Sequence, residues 1–235
     1  MLILLSLFAC GPELALVEGV AYSSYEDDAP PLAKATVRLV DADGGGVVSE
    51  TTTDAKGRFE LEAELGTHVY AEVAGQGLRT SRFPGVIDRE TVLVEDRSVF
   101  GFAEEEAAEL EALFAACPSA GGPGLAVGQV RAYGIATVVE GQNPIIQNAQ
   151  VIVRTANGTE WSACYFDEEG EVHDPSALVT GATGWFVVPG LPAGEHELEV
   201  TYQFVEGAVE SYLYPMSIAK QGTVSPWFPA WVGLP

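Results

Sequence analysis

Two related strings decide the fold of this chain: TDAKGRF at residues 53–59 and TGATGWF at residues 180–186. Each places a glycine at the tight position of a turn and a phenylalanine shortly after it. This predicts a turn that leads into a strand with its aromatic side chain in the core. The pair Glu-Val follows each phenylalanine at the same distance, at residues 72–73 and 199–200. The recurrence indicates two copies of one structural unit.

The segments before these strings repeat as well. PLAKATVRL at residues 31–39 parallels PIIQNAQVIV at residues 144–153, and VEGV at residues 17–20 parallels VGQV at residues 127–130. The first of these alternates apolar and polar residues, which is typical of a strand with one buried face. DADGGG at residues 41–46 predicts a hairpin loop, because its residues tolerate positive φ. Short strands separated by such turns predict antiparallel β-sandwiches with Greek-key connections.

The elements GxV, PLxxAxVxL, TDAxGxF and LPAGxxxLxV together resemble those of the carboxypeptidase regulatory-like domain, over residues 14–95 and 125–205. The resemblance implies a prealbumin-like, seven-stranded β-sandwich of the kind common in multidomain surface and secreted bacterial proteins. The first copy departs from it by having ELGT at residues 64–67 where the second has LPAG. Because these motifs are structural, they imply a fold and say little about function.

Helical periodicity is found between the two copies, in the acidic segment that begins at residue 103. Glutamates at residues 104–106 lie at its start, where the helix dipole favours negative charge. Residues 119–124 are rich in glycine and proline and predict a flexible joint. The apolar stripe of the helix consists of Ala107, Leu110, Phe114 and Cys117.

The predicted fold is therefore all-β: two tandem Greek-key, prealbumin/Ig-like antiparallel β-sandwiches joined by one short acidic helix. The predicted divisions are a lipoprotein signal peptide (residues 1–9), a first sandwich (10–100), a helix with its Gly/Pro linker (101–124) and a second sandwich with an insertion (125–235).

The first ten residues, MLILLSLFAC, form an uncharged apolar string. It is too short to span a bilayer as a helix, which takes about 20 residues, and it is typical of the hydrophobic region of an export signal. LFAC at residues 7–10 resembles the lipobox of bacterial lipoproteins, which implies cleavage before Cys10 and lipidation of its thiol. The absence of a basic segment and the bulk of Phe8 depart from that pattern. A buried N-terminal strand ending in a core cysteine is the alternative.

The net charge and the expected cellular location limit the possible partners. The chain has 34 acidic and 11 basic residues and a formal net charge of -23, so it repels phosphates and we expect no nucleic-acid partner. Solubility outside the cell, cation binding and attraction to a basic partner remain as reasons for the acidity. Gly11 follows the cysteine in place of the aspartate that marks retention in the inner membrane of enterobacteria. We therefore expect a lipid anchor in the outer membrane, on its periplasmic or cell-surface face. An envelope protein or a polysaccharide is the expected partner.

Two cysteines remain once Cys10 is assigned to lipid. Cys117 ends the predicted helix, and Cys164 lies in a segment that lengthens the second copy between Ala149 and Thr180. Two thiols in an exported protein are expected to pair. A disulfide would attach the insertion to the helix and stabilise the fold by roughly 3–4 kcal/mol. Two separate buried thiols are the alternative.

The insertion also carries the best candidate for a metal site. Calcium prefers several carboxylates close together, although a solvated acidic loop would have the same composition. The other two histidines, His68 and His196, fall in matching strands and are expected at a surface or an edge. The candidate metal-binding residues are Asp167, Glu168, Glu169, Glu171, His173 and Asp174.

No motif for catalysis is found. The GxSxG and HExxH patterns are missing. Intradiol ring-cleaving dioxygenases have strings similar to those above, but their HxH ligand pair is broken here, since Glu197 and Leu198 follow His196. We therefore predict a non-catalytic binding or display module without a cofactor, or a structural spacer or assembly subunit of an envelope complex.

The aromatic tail is the last candidate. Trp227, Phe228 and Trp231 would bind sugars or a protein partner if exposed. A final strand that docks the terminus is the alternative.

Overall fold

The computed structural model describes residues 12–24, 28–93, 99–130, 145–170, 172–203, 209–220 and 224–227. Within these ranges the protein is built of β-strands and one short helix. Before the helix the strands are β1 (Leu14–Tyr22), β2 (Thr36–Asp41), β3 (Val47–Thr52), β4 (Arg58–Glu64), β5 (His68–Ala74), β6 (Leu78–Arg79), β7 (Ser81–Val86), β8 (Thr91–Leu93), β9 (Val99–Phe100) and β10 (Phe102–Ala103).

The helix α1 (Glu104–Leu113) follows β10. After it come β11 (Gly124–Gln129), β12 (Gln150–Thr155), β13 (Glu160–Ser162), β14 (Cys164–Phe166), β15 (His173–Asp174), β16 (Trp185–Leu191), β17 (Gly194–Gln203), β18 (Val209–Ile218) and β19 (Val224–Trp227).

The same topology occurs twice, which confirms the predicted all-β fold of two sandwiches. In the first sandwich the sheet β4-β1-β8 packs on the strands β3-β2-β5-β7. In the second, β16-β11-β19 packs on β13-β12-β17-β18. In both copies the last strand pairs in parallel with the first, β8 with β1 and β19 with β11. The other long pairs are antiparallel.

The repeated strings form the same hydrogen-bonded lock in both copies. Thr53 is buried, and its hydroxyl accepts the N–H of Ala35 (2.9 Å) and donates to the carbonyl of Leu32 (2.6 Å). In the second copy Ala149 N–H donates to Thr180 Oγ1 (3.0 Å), which donates to the Ile146 carbonyl (2.9 Å). In the first sandwich these bonds join the start of β2 to the turn before β4. In the second they join the start of β12 to the turn before β16. This explains why an alanine before the second strand and a threonine before the glycine turn occur in both copies.

The glycine of each string also has a backbone role. Gly57 and Gly184 have φ values of 73° and 69°, a region that favours glycine. A Cβ on Gly57 would lie 2.6 Å from the carbonyl oxygen of Ala21, and one on Gly184 would lie 3.0 Å from that of Val130. The close approach lets Ala21 N–H and Val130 N–H each bond the glycine carbonyl, both at 2.9 Å.

The structure corrects the predicted match of VEGV to VGQV by one residue. Gly19 pairs with Phe59 across β1 and β4, and Gly128 pairs with Phe186 across β11 and β16. Gly19 is therefore equivalent to Gly128, and Val127 is not equivalent to Val17. A slip of one residue moves a side chain to the opposite face of its sheet, and Val127 indeed packs into the first core.

Strand β11 is buried on both faces, which distinguishes it from β1. Leu125 and Val127 belong to the first hydrophobic core, whereas Ala126 belongs to the second. Ala107 of helix α1 and Phe114, which follows the helix directly, belong to the first core as well. A strand buried on both faces carries a continuous apolar run instead of an alternating one.

Strand β19 joins the two sandwiches into one sheet. It lies between β11 and β7, and the resulting nine-stranded sheet has the order β15-β14-β16-β11-β19-β7-β5-β2-β3. Val224 of β19 pairs with Ser81 of β7. The predicted division at residues 101–124 remains a prediction, but the two sandwiches share backbone hydrogen bonding as well as a core.

Polar side chains reinforce this junction. Arg82 bridges the carboxylate of Glu72 (3.0 Å) in its own sandwich and the hydroxyl of Ser217 (2.9 Å) in the other. Tyr70 donates to Glu195 (2.8 Å), and Ser217 donates to the same carboxylate (2.7 Å). The pKa of Tyr70 lies well above its ordinary value because the phenol is buried and bonded to a carboxylate.

Candidate functional site

The insertion of the second copy forms β14 and β15, which extend its sheet beyond β16. Cys164 and Phe166 are two residues apart in β14, so their side chains lie on the same face. His173 pairs directly with Phe166 across the two strands and shares that face. The register of this short hairpin therefore brings a cysteine sulfur and an imidazole to one face of the sheet.

The end of the helix supplies the second sulfur. Cys117 is joined to Cys164 by a disulfide, with the two Cα atoms 6.3 Å apart, which confirms the predicted pairing. Both cysteines are buried, and both belong to the first hydrophobic core. The disulfide attaches the insertion to the segment after α1, because Cys117 follows directly on the turn that ends the helix at Phe114.

His173 lies against this disulfide. Its Nε2 is 3.6 Å from Cys117 Sγ, and its ring centroid is 4.9 Å from that of Phe114. Phe114 also makes an edge-to-face contact with Phe166 at 4.8 Å. The two aromatic rings hold the imidazole beside the sulfurs. Cys117, Cys164 and His173 together are called the cysteine–histidine cluster below.

A cleft of about 610 Å³ opens beside the cluster, between the helix and β6 on one side and the end of β16 on the other. Cys117 and Phe114 belong to its wall, and so does Arg79. Arg79 forms ion pairs with Glu104 (2.7 Å) and Glu111 of the helix, which raise its pKa above the ordinary value. The cation of the cleft is thus neutralised by carboxylates of the same chain.

The segment after the helix forms part of this cleft wall. Residues 119–124 were predicted to be a flexible joint, but Gly122 N–H donates to the carbonyl of Gly190 (2.9 Å). A Cβ on Gly122 would lie 2.2 Å from the carbonyl oxygen of Leu191. The small residues of this segment therefore serve close packing on β16.

Among the described residues, the predicted acidic side chains do not form a group of close metal ligands. Glu168 and Glu169 are exposed in the turn between β14 and β15, and Asp167 accepts the N–H of Val172 (3.3 Å). Asp174 accepts the hydroxyl (2.6 Å) and N–H (2.8 Å) of Ser176, which lower its pKa. Asp167 and Asp174 thus cap turns.

Glu171 lies outside the described residues, and the calcium site remains a prediction. Among the residues that are described, the cysteine–histidine cluster is the one group of three potential metal ligands whose donor atoms lie close together, all within 4.8 Å of one another.

The expectation of a surface or edge role is wrong for His196. Its side chain is buried, Nε2 is 2.8 Å from the carbonyl oxygen of Pro192, and burial lowers its pKa. The ring faces the second core from β17 and is tied to the turn that carries LPAG. His68, by contrast, is exposed at the start of β5.

The remaining predicted sites are at the two ends of the chain. Trp227 is the last residue of β19, where it pairs with Gly128, so the tail contributes a final strand up to this residue. Phe228, Trp231 and Cys10 lie outside the described residues. Within the ranges given above, no helix is long and apolar enough to cross a membrane.

Sequence reasoning missed the contact between His173 and the disulfide. His173 was grouped with neighbouring carboxylates because they are adjacent in sequence. A prediction of the contact would have needed the register of β14 and β15, which places His173 opposite Phe166. The available signal was the alternation of Cys164 and Phe166 together with the turn residues after them.

No family model matches the chain, and no curated protein matches it. Among solved structures, it is similar to the TIE protein of Bacillus anthracis (TM-score 0.28, 13% identity), covering 91% of this chain but only 33% of that one. It is also similar to GBS52, the minor pilin of Streptococcus agalactiae (TM-score 0.30, 11% identity, 94% and 98% covered). The major pilin subunit BcpA of Bacillus cereus is similar at a TM-score of 0.27 and 12% identity, with 91% and 99% covered. At these TM-scores the likenesses carry no conclusion about ligands or partners of this chain.

Proposed function

We propose that the chain is a lipid-anchored, non-catalytic module of the bacterial cell envelope, held through Cys10 and presenting two carboxypeptidase regulatory-like sandwiches for binding or display. The observation that carries the proposal is the disulfide between Cys117 and Cys164, since disulfides persist in oxidising, exported compartments. The apolar string that ends at Cys10 supports the same location outside the cytoplasm.

The environment of the three histidines supports a non-catalytic role. His173 lies on a disulfide and an aromatic ring, and His196 is buried against a backbone carbonyl. His68 is exposed at the start of β5, far along the sheet order from β14 and β15. General-base catalysis requires a base within hydrogen-bond reach of a nucleophile, and among the described residues none of the three histidines has that position.

The anchor is tested by Cys10→Ser in the full chain, expressed in a bacterium that processes lipoproteins. The native chain should take up a labelled fatty acid and partition into the detergent phase, whereas Cys10→Ser should do neither. Cys117→Ser is the matched control, because it removes a cysteine and leaves the lipidation site intact. If Cys10→Ser still carries the label or remains with the membranes, the anchor is refuted.

Binding or display is tested on intact cells. Protease added from outside should degrade the protein if it faces the medium, and should leave it intact if it faces the periplasm. Purified protein should then bind isolated envelope polysaccharide or envelope protein in a saturable way. The proposal would be contradicted if the purified protein bound without saturation and if chemical crosslinking captured no partner, at the cell surface or in the periplasm.

A structural spacer is the second candidate, and the shared nine-stranded sheet favours it. Because β19 pairs with both β11 and β7, the two sandwiches are connected by more than the helix segment. A spacer requires a fixed distance between its ends. Spin labels at exposed Val47 and Leu178, one in each sandwich, should give one narrow distance distribution, whereas a broad distribution would exclude a rigid spacer.

A further inference from the structure

We infer that the cysteine–histidine cluster is a redox-gated zinc site, closed while Cys117 and Cys164 are bonded and able to hold Zn²⁺ once they are reduced. The inference is independent of the lipid anchor and of any binding partner. It rests on the position of three donor atoms of the types that zinc prefers, two thiolate sulfurs and one imidazole nitrogen.

The distances fit tetrahedral zinc. Zn–S bonds of about 2.3 Å and Zn–N bonds of about 2.0–2.1 Å at tetrahedral angles place a sulfur and a nitrogen ligand about 3.6 Å apart. The distance between Cys117 Sγ and His173 Nε2 is 3.6 Å. The nitrogen is therefore already at ligand spacing from one sulfur. Zinc binding then requires the two sulfurs to separate and Cys164 Sγ, which lies within 4.8 Å of the other donor atoms, to reach ligand spacing from the nitrogen. Their Cα atoms, 6.3 Å apart, can stay in place while the side chains rotate.

The surroundings favour a defined site. Phe114 and Phe166 flank the imidazole and restrict its rotation, and the two cysteines are 7% and 8% exposed, so thiolates there are shielded from water. Cys117 is also a wall residue of the cleft, through which a metal ion and a reductant can arrive. Three protein ligands leave a fourth position of the ion for solvent or another molecule.

The chemistry balances with a dithiol reductant. One thiolate of the reductant attacks a sulfur of the disulfide and releases the other cysteine as a thiolate. The second thiolate of the reductant then attacks the reductant sulfur of the mixed disulfide and releases the remaining cysteine as a thiolate. The reductant leaves as a disulfide after losing two electrons, and the protein gains two thiols. Zn²⁺ replaces both thiol protons, so its binding releases two protons for each ion.

The test uses the full chain carrying Cys10→Ser, in which Cys117 and Cys164 are the only cysteines. A phosphine reduces the disulfide, becomes a phosphine oxide with oxygen from water, and is removed without air. Zn²⁺ affinity is measured by competition with a chromogenic chelator, and Co²⁺ reports sulfur ligation through thiolate charge-transfer absorption. One ion should bind each reduced chain, and the oxidised chain should bind none at this site.

The histidine variants decide whether the folded cluster is the site. His173→Ala should weaken Zn²⁺ binding by at least about 100-fold, since losing even an outer-shell partner costs 10–100-fold. His68→Ala, an exposed histidine in the other sandwich, is the matched control and should leave the affinity unchanged.

Three outcomes would overturn the inference: no cobalt–thiolate absorption in the reduced chain, equal affinity in the oxidised chain, or equal effects of the two histidine variants. Equal effects of the two variants would also result if reduction unfolded the chain, because in an unfolded chain His173 is no better placed than His68 to bind Zn²⁺. Circular dichroism of each reduced variant, with and without Zn²⁺, shows which state is being measured.

Discussion

Replacing Thr180 by valine tests the lock that defines the repeat. The side chain is 1% exposed, and valine has nearly the same shape, so packing changes little. The substitution removes the acceptor for the N–H of Ala149 and the donor to the carbonyl of Ile146. Both backbone groups are buried beside the second core.

The expected loss follows from those two groups. An unsatisfied buried polar group costs about 1–3 kcal/mol, and carbonyls tolerate the loss better than N–H groups do. Because the hydroxyl itself no longer has to be buried, we expect Thr180→Val to lower the free energy of unfolding by about 2–3 kcal/mol. For a chain of this length that corresponds to a fall in Tm of roughly 5–10 °C.

The assay is urea unfolding followed by fluorescence and circular dichroism, with Thr183→Val as the matched control. Thr183 Oγ1 is buried but bonds no described residue, so valine there removes an unsatisfied polar group and should leave the free energy of unfolding unchanged or raise it. Thr53→Val should reproduce the loss in the first copy, where the same two bonds form. If Thr180→Val is as stable as the native chain, or if Thr183→Val is equally harmful, the lock does not stabilise the fold as argued.

Three further perturbations test the junction, the disulfide and the core. Reducing Cys117 and Cys164, which are 47 residues apart, should lower the free energy of unfolding by about 4 kcal/mol in a denaturant titration without added metal; an unchanged midpoint would contradict the crosslink. Burial raises the pKa of Tyr165 to about 12, so the folded state keeps a proton that the unfolded state loses near pH 10. The contribution of Tyr165 to stability should be intact below that pH and fall by about 3 kcal/mol as pH rises to ~12. Tyr165→Phe should remove this part of the alkaline loss and leave the part due to Tyr70 and Tyr214, whose pKa values burial also raises; an unchanged slope would refute it. Gly122→Ala would place a Cβ 2.2 Å from a backbone oxygen of β16 and should cost at least about 2 kcal/mol by thermal unfolding; Gly46→Ala, whose Cβ meets nothing within 4 Å, should be neutral.

The parts of the fold that the sequence predicted are those determined by short strings. Alternation identified β2, and glycine at the turns identified the approach to β4 and β16. The lock could be aligned between copies because each partner of Thr53 and Thr180 lies in a string that also recurs. The alignment of β1 with β11 failed by one residue because Val127 in β11 and Val130 just after it belong to different cores and so offered two registers, and only burial on both sides distinguishes them.

The shared sheet could not be predicted, since it depends on contacts between residues far apart in the chain. Val224 pairs with Ser81, and neither position carries a pattern that differs from an ordinary strand residue. The same reason applies to His173, whose nearest sulfur belongs to a residue in another element. Composition predicted an acidic cation site there, but the carboxylates of Asp167 and Asp174 serve their own turns.

The comparison of the two copies indicates where a specific function resides. The sandwiches share strand order, closing strand, lock and turn glycine, so these features are explained by folding alone. Among the described residues, strands β14 and β15 have no counterpart in the first sandwich, and helix α1 lies between the two sandwiches in the chain. Residues that served only the fold would be expected in both copies, and Cys164 and His173 occur in one. The elements added to the common fold converge on the cysteine–histidine cluster, which makes that cluster the place where this chain departs from a purely structural repeat.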